Sequence, residues 1–184
     1  PEPEGIPVIS MASRLLKDKG VVEYIKAAEI LKGRGINAVF RLIGDTDTDN
    51  PATVTDEEIL VWSKLDNVEI LGRRNDIPEL FSNSNIIVLP SYREGLPKVL
   101  CEAAACGRAV ITTDVPGCRD AIVSDETGIL VPVRSSRALA DAIQYLIQNK
   151  DRRITMGKAG RFLAEKEFDI RAVVKKHLAL YKSI

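Results

Sequence analysis

Histidine is almost missing from this sequence, with one in 184 residues. Cysteine is scarce as well: three occur, at 101, 106 and 118, and none forms a Cys-x-x-Cys pair. These two shortages exclude the ligand spacings of a structural zinc site. The odd cysteine count speaks against a disulfide framework. A reducing, cytoplasmic setting is therefore expected, with all three thiols acting as small apolar residues in or near a core. Net charge is also lacking. Lysine plus arginine total 26, and aspartate plus glutamate total 26. That balance leaves no global basic field for nucleic acid or an anionic membrane. No apolar run approaches the ~20 residues of a membrane span, and no signal peptide is recognisable. Internal repeats and low-complexity segments are absent too. The chain opens on "PEPEGIP" rather than on Met. This reads like a linker, so a piece of a longer protein is expected.

What remains is ordinary globular material: 45% apolar and 28% charged, enough for one domain with a real core. Short apolar runs alternate with helical patterns. Strands are predicted at 8–12, 39–43, 68–71, 86–89, 109–113 and 129–131. Between them lie helices over 20–32, 56–65, 76–82, 97–106 and 117–123. Asp56 is expected to cap the second of these, and Pro97 to take the first position of the fourth. A helix to about Asn149, capped by Ser135 or Ser136, and helices near 151–166 and 169–182 close the chain. Strict alternation of strand and helix predicts an α/β domain, a doubly wound, parallel, six-stranded sheet of Rossmann-like form. Such sheets bind ligands beyond the carboxyl ends of their strands, so the segments after each strand are the ones to read.

After the first strand comes "SRLLKDKG". Arg14 and Lys19 leave the strand tip beside a helix start, a good anion site, although an isolated base is more often simply solvated. After the second comes "GDTDTDNP", Gly44 to Pro51, with aspartates at alternate positions. An EF-hand loop needs Gly sixth and Glu twelfth. Here Asn50 and Asp56 stand there, so a polar loop leading into the next helix is the better reading. After the third come Gly72, Arg73 and Arg74, whose backbone groups suit the edge of a base. The fourth strand delivers "SYREGLPKVLCEAAACG", which holds Glu94 and Glu102 eight positions apart around a Gly-Leu-Pro turn. The free amides of that helix start form a phosphate cradle. The two carboxylates suit the hydroxyls of a sugar and a ribose, the alternative for Glu102 being a structural carboxylate met by an amide or a base. After the fifth strand, Pro116-Gly117 makes another close turn, and Asp114 is placed to cap or line the cleft. "GRGINA" at 33–38 mimics a dinucleotide fingerprint, but it runs from helix to strand, the wrong order. His177 falls on the stripe Ile170, Val173, Val174, Tyr181, the spacing of a packing or interface residue.

Together, "SRLLKDKG", "LGRRNDIPELF" and "PSYREGLPKVLCEAAACGRAVITTDVPGCRDAIVSDETGILVP" resemble glycosyltransferase family 4. They are similar to the C-terminal, nucleotide-sugar-binding half of its GT-B fold, over nearly the whole chain. The resemblance implies that Arg14 and Lys19 grip a diphosphate and that Glu94 touches the transferred sugar; these three form the catalytic set. It implies a donor site of Gly44, Arg73, Arg74, Ile77, Gly95, Leu96, Lys98, Val99 and Glu102. In that site Glu102 accepts the ribose diol, the 74–77 turn meets the base, and amides near Gly95, Leu96 and Lys98 bind phosphate or sugar. It further implies retention at the anomeric carbon, no metal or other cofactor, a UDP-sugar donor, and a glycan or lipid-linked acceptor in cell-surface polysaccharide synthesis. An N-terminal acceptor domain would lie outside this chain, and the full-length protein would be cytoplasmic, with peripheral docking on the inner membrane face left open. The alternative is a module of the same fold that binds nucleotide sugar without transferring it.

Overall fold

The computed structural model describes residues 1–169, 171, 174 and 178–181. Six strands, β1 (Val8–Ala12), β2 (Val39–Ile43), β3 (Val68–Ile70), β4 (Ile86–Leu89), β5 (Ala109–Thr113) and β6 (Gly128–Val131), form one sheet in the order β3-β2-β1-β4-β5-β6. Every pairing is parallel. The helices are α1 (Val21–Gly33), α2 (Asp56–Trp62), α3 (Ile77–Ser82), α4 (Lys98–Ala105), α5 (Pro116–Ala121), α6 (Ser136–Gln148) and α7 (Lys150–Glu167), with a 3-10 turn at Lys17–Lys19.

The central strands are apolar on both sides, as a sheet covered on both faces requires. Side chains alternate between the two cores. Ile86 and Val88 join Tyr24, Leu31, Leu139 and Leu146 on the face covered by α1 and α6. Ile87 and Leu89 join Phe81, Leu100 and Cys118 on the face covered by α3, α4 and α5. Tyr24 is wholly buried against Phe40, ring centroids 5.4 Å apart, and its hydroxyl donates to the Ile9 and Arg41 carbonyls. Burial pushes that phenol well above its ordinary pKa.

Element ends differ from the sequence expectation in instructive ways. Asp56 does not cap α2. Thr55 does: its hydroxyl accepts from the Glu58 amide, and Glu58 accepts from the Thr55 amide. This reciprocal box satisfies two first-turn donors, which a lone Asp could not. The Thr55 amide holds the Glu58 carboxyl below its ordinary pKa. Pro97 lies one position outside α4, in extended conformation, so the helix opens at Lys98. Ser135 caps α6 as expected, 3.2 Å from the Ala138 amide. The stripe around His177 lies mostly outside the described residues. "PEPEGIP" is not a loose tether: the Glu2 carboxylate lies 2.8 Å from the Arg153 guanidinium, both side chains nearly buried at 7% and 5% exposed.

Candidate functional site

Strand order reverses direction between β1 and β4, the switch point at which open α/β sheets leave a crevice. A cleft of about 620 Å³ opens there. Its floor is Ala12 and Ile43 at the ends of β1 and β2. Around it stand Arg14, Gly44, Arg73, Arg74, Ile77, Lys98, Val99 and Glu102, which spacing alone had scattered over 89 positions of the chain. Asp45, Thr46 and Asp47 complete the wall.

The loops that supply these groups are laced together by backbone. The Ser13 amide donates to the Ile43 carbonyl at 3.0 Å, Leu15 to Asp45 at 2.9 Å, and Gly44 to Gly72 at 2.9 Å. Gly44 has a φ of +140°, and a Cβ there would fall 1.8 Å from the Ser13 carbonyl oxygen. Only glycine lets these two strand tips approach so closely.

Most charged side chains of the cleft have a partner. Arg14 meets Asp47 at 2.7 Å, and Arg74 meets Asp76 at 2.6 Å. Lys98 and Glu102, one turn apart on α4, lie 3.2 Å apart. The Arg73 amide donates to Asp45 Oδ1 at 2.9 Å. Mutual hydrogen bonding lowers the Asp76 pKa and raises that of Arg74. Among the described residues no three Cys, His, Asp or Glu side chains are grouped as metal ligands. Asp45 and Asp47 of the alternating loop are instead turned to an amide and a guanidinium.

Lys19 and Glu94 do not line this cleft. They form a pair of their own at 2.7 Å, only 20% and 13% exposed, joining the segments after β1 and β4. The two segments are also pinned by backbone: the Tyr92 amide and the Ser91 hydroxyl both donate to the Asp18 carbonyl. Thr113 on β5 donates to the Ser91 carbonyl. Gly95 and Leu96 lie between Glu94 and α4, and their amides donate to no backbone carbonyl among the described residues. The Lys98 and Val99 amides open α4, where first-turn N–H groups lack partners within the helix. Gly117 at the start of α5 backs this loop; a Cβ there would fall 1.2 Å from the Gly95 carbonyl oxygen. Asp114 faces Arg119 at 2.7 Å rather than the cleft.

Sequence reasoning missed two groups. Asp47 shows in sequence only as part of an imperfect metal-loop pattern, and its contact with Arg14 is not visible there. The cluster at Tyr92 had no signal at all: its hydroxyl donates to Glu23 at 2.7 Å, and the Arg134 guanidinium sits 4.8 Å from its ring centroid.

Cations and amides without backbone acceptors thus gather at the switch point of a doubly wound α/β sheet. Comparison places it further. The family described as "Glycosyl transferases group 1" matches residues 1–162, and the chain belongs to that family. It is 32% identical to the capsular polysaccharide biosynthesis glycosyltransferase CapM of Staphylococcus aureus, over 96% of this chain and 46% of that protein. It is 33% identical to the N,N'-diacetylbacillosaminyl-diphospho-undecaprenol alpha-1,3-N-acetylgalactosaminyltransferase of Campylobacter jejuni, over 97% of this chain and 45% of that one. The chain spans about half the length of these curated relatives. In fold it matches Anabaena HepE, solved in complex with UDP, with a TM-score of 0.88 over 97% of this chain and 49% of that one, at 23% identity. Among the described residues no helix is long and apolar enough to cross a membrane.

Proposed function

We propose that this chain is the donor-binding domain of a retaining glycosyltransferase. The parent protein moves a hexose-type sugar from a UDP-sugar to a glycan or lipid-linked acceptor in cell-surface polysaccharide synthesis, working in the cytoplasm. An N-terminal domain of that protein faces the strand tips and supplies the acceptor side. The observation that carries the reading is the gathering of Arg14, Arg73, Arg74, Ile77, Lys98 and Glu102 around one strand-tip cleft. Relatives named for capsule synthesis and for transfer to a diphospho-undecaprenol acceptor support the acceptor class. The UDP bound to HepE supports the base.

In this reading the base sits against the Arg74–Ile77 turn and Val99. Glu102, 33% exposed on its side chain, accepts the ribose diol. The diphosphate lies between Arg14, Lys19 and the amides of Gly95, Leu96 and Lys98. When the bond from the anomeric carbon to the phosphate oxygen breaks, its electron pair leaves with UDP. Positive charge and oriented amides around the diphosphate stabilise that departing charge, so no metal is needed. Glu94 keeps its bond to Lys19 and accepts from the hydroxyls of the transferred sugar.

Calorimetric titration with UDP in the presence of EDTA tests this. Binding heat is expected with the wild type and not with Arg14→Ala/Lys19→Ala. A folded chain that binds no nucleoside diphosphate would overturn the reading. Transfer of radiolabelled sugar by the full-length protein separates an enzyme from a module that only binds.

A further inference from the structure

Two of the alternating aspartates after β2, Asp45 and Asp47, face the cleft. Asp47 is held firmly. Its amide donates to the Thr53 hydroxyl at 3.0 Å, and its carbonyl accepts from the Asn50 amide at 2.9 Å. The rest of the loop is sewn to the segment that follows Arg14: Lys17 donates to the Ala52 carbonyl at 2.7 Å, and Val54 donates to the Leu15 carbonyl at 2.9 Å. Arg14, in contrast, is a long side chain, 61% exposed, whose guanidinium makes a single 2.7 Å bond to Asp47 Oδ2. A carboxylate on a pinned backbone thus holds a long, exposed cation at the mouth of the cleft.

We infer that Asp47 is a determinant of donor affinity that competes with the diphosphate for Arg14. The inference rests on the donor-binding reading above and adds a residue to it. An incoming diphosphate must draw Arg14 off Asp47 or share it, so part of its attraction to Arg14 is offset by the pair it breaks. The effect falls on phosphate and not on base or ribose, because those are held across the cleft by the Arg74–Ile77 turn and Glu102. As UDP departs, Asp47 recaptures Arg14, which favours release of product over its retention.

The test is calorimetric titration of the chain with uridine, UMP and UDP, comparing wild type with Asp47→Asn. Asn keeps the size and the backbone bonds and removes the charge. UDP is expected to bind roughly three- to tenfold tighter to the variant, the range a partly screened charge beside an ion commands. UMP gains less and uridine gains nothing. Salt shrinks the difference, since exposed charges are screened within about 10 Å at 0.1 M. In an Arg14→Ala background the gain from Asp47→Asn is expected to fall below about twofold, because a double-mutant cycle isolates the coupling of the two residues. Equal UDP affinity for wild type and Asp47→Asn, or an equal gain for uridine, overturns the inference and leaves donor binding standing. A wild-type chain that binds no UDP overturns both.

Discussion

A phenol that donates to a carboxylate must keep its proton, and Tyr92 does so beside Glu23. Burial, then the hydrogen bond and charge of Glu23, push its pKa from an ordinary value near 10 up to about 12. Tyr24 is raised too, chiefly by burial. The unfolded chain releases these protons near pH ~10, while the folded chain still holds them. The stability they contribute is therefore whole below pH ~10 and is lost as pH rises through about 12 for Tyr92. An alkaline titration followed by phenolate absorbance should show a step near pH 12 that vanishes in Tyr92→Phe; its persistence in that variant would refute the assignment. At this scale the sequence was half legible. Arg14, Lys98 and Glu102 could be named as cleft residues because each sits in a segment that follows a strand, where such sheets leave their crevice. Glu23 and Arg134 could not, since 69 residues separate Glu23 from Tyr92 and no periodicity encodes a contact between separate elements. Asp47 was visible but unreadable: its partner lies 33 residues away, so only the metal pattern of its own loop could be judged.

Elements were legible where burial dictates composition. Ile86 to Leu89 is apolar throughout because both faces of β4 are covered, and that pattern survives in sequence. Caps and turns were less legible, since Thr55 and Asp56 are both good caps on paper and only the reciprocal bond to Glu58 decides between them. Pro116-Gly117, expected as a close turn, is instead the first turn of α5, and the sequence did not show what it packs against. A Cβ on Gly117 would meet the carbonyl oxygens of Gly95 at 1.2 Å and Glu94 at 2.6 Å. Backbone cannot swing aside like a side-chain tip, so Gly117→Ala must push the Glu94 loop off α5, with a cost of roughly 1–3 kcal/mol as for other overpacked sites. The expected outcome is a lower melting temperature and weakened UDP binding. Gly95→Ala, with nothing within 4 Å of the added carbon, should melt like wild type. If both variants behave alike, the close approach is not what Gly117 is for.

For the whole molecule, the opening residues are part of the fold and not an appendage to it. Glu2 takes both Arg153 Nε, at 3.1 Å, and its terminal nitrogen, at 2.8 Å, while Arg153 also donates to the Leu146 carbonyl at 2.7 Å. The Arg108 guanidinium and the Asn85 side-chain amide bind the Pro1 and Pro3 carbonyls. This one peptide thus ties the α6–α7 corner to the sheet. Pro-rich, acidic composition reads as exposed, which is why the sequence suggested a linker. Removing one partner of a buried pair strands the other charge, so Glu2→Ala should lower stability by about 3–5 kcal/mol in thermal or denaturant melts. Replacing both, as in Glu2→Ala/Arg153→Met, should recover much of the loss. A Glu2→Ala chain as stable as wild type would contradict the structural role.

The pairing of β1 with β4 has a consequence in time. Ser10 and Ser84, whose hydroxyls meet at 2.7 Å across this pair, are 74 positions apart, and Lys19 and Glu94 are 75 apart. The crevice is complete only once the first strand has met the fourth. Parallel strands joined by long crossovers pair late, because the loop must close before any contact rewards it. An early collapsed chain would therefore carry every residue of the crevice and bind nothing. A ligand that occupied it would act on the finished sheet alone, holding the native state against unfolding while leaving the rate of refolding untouched.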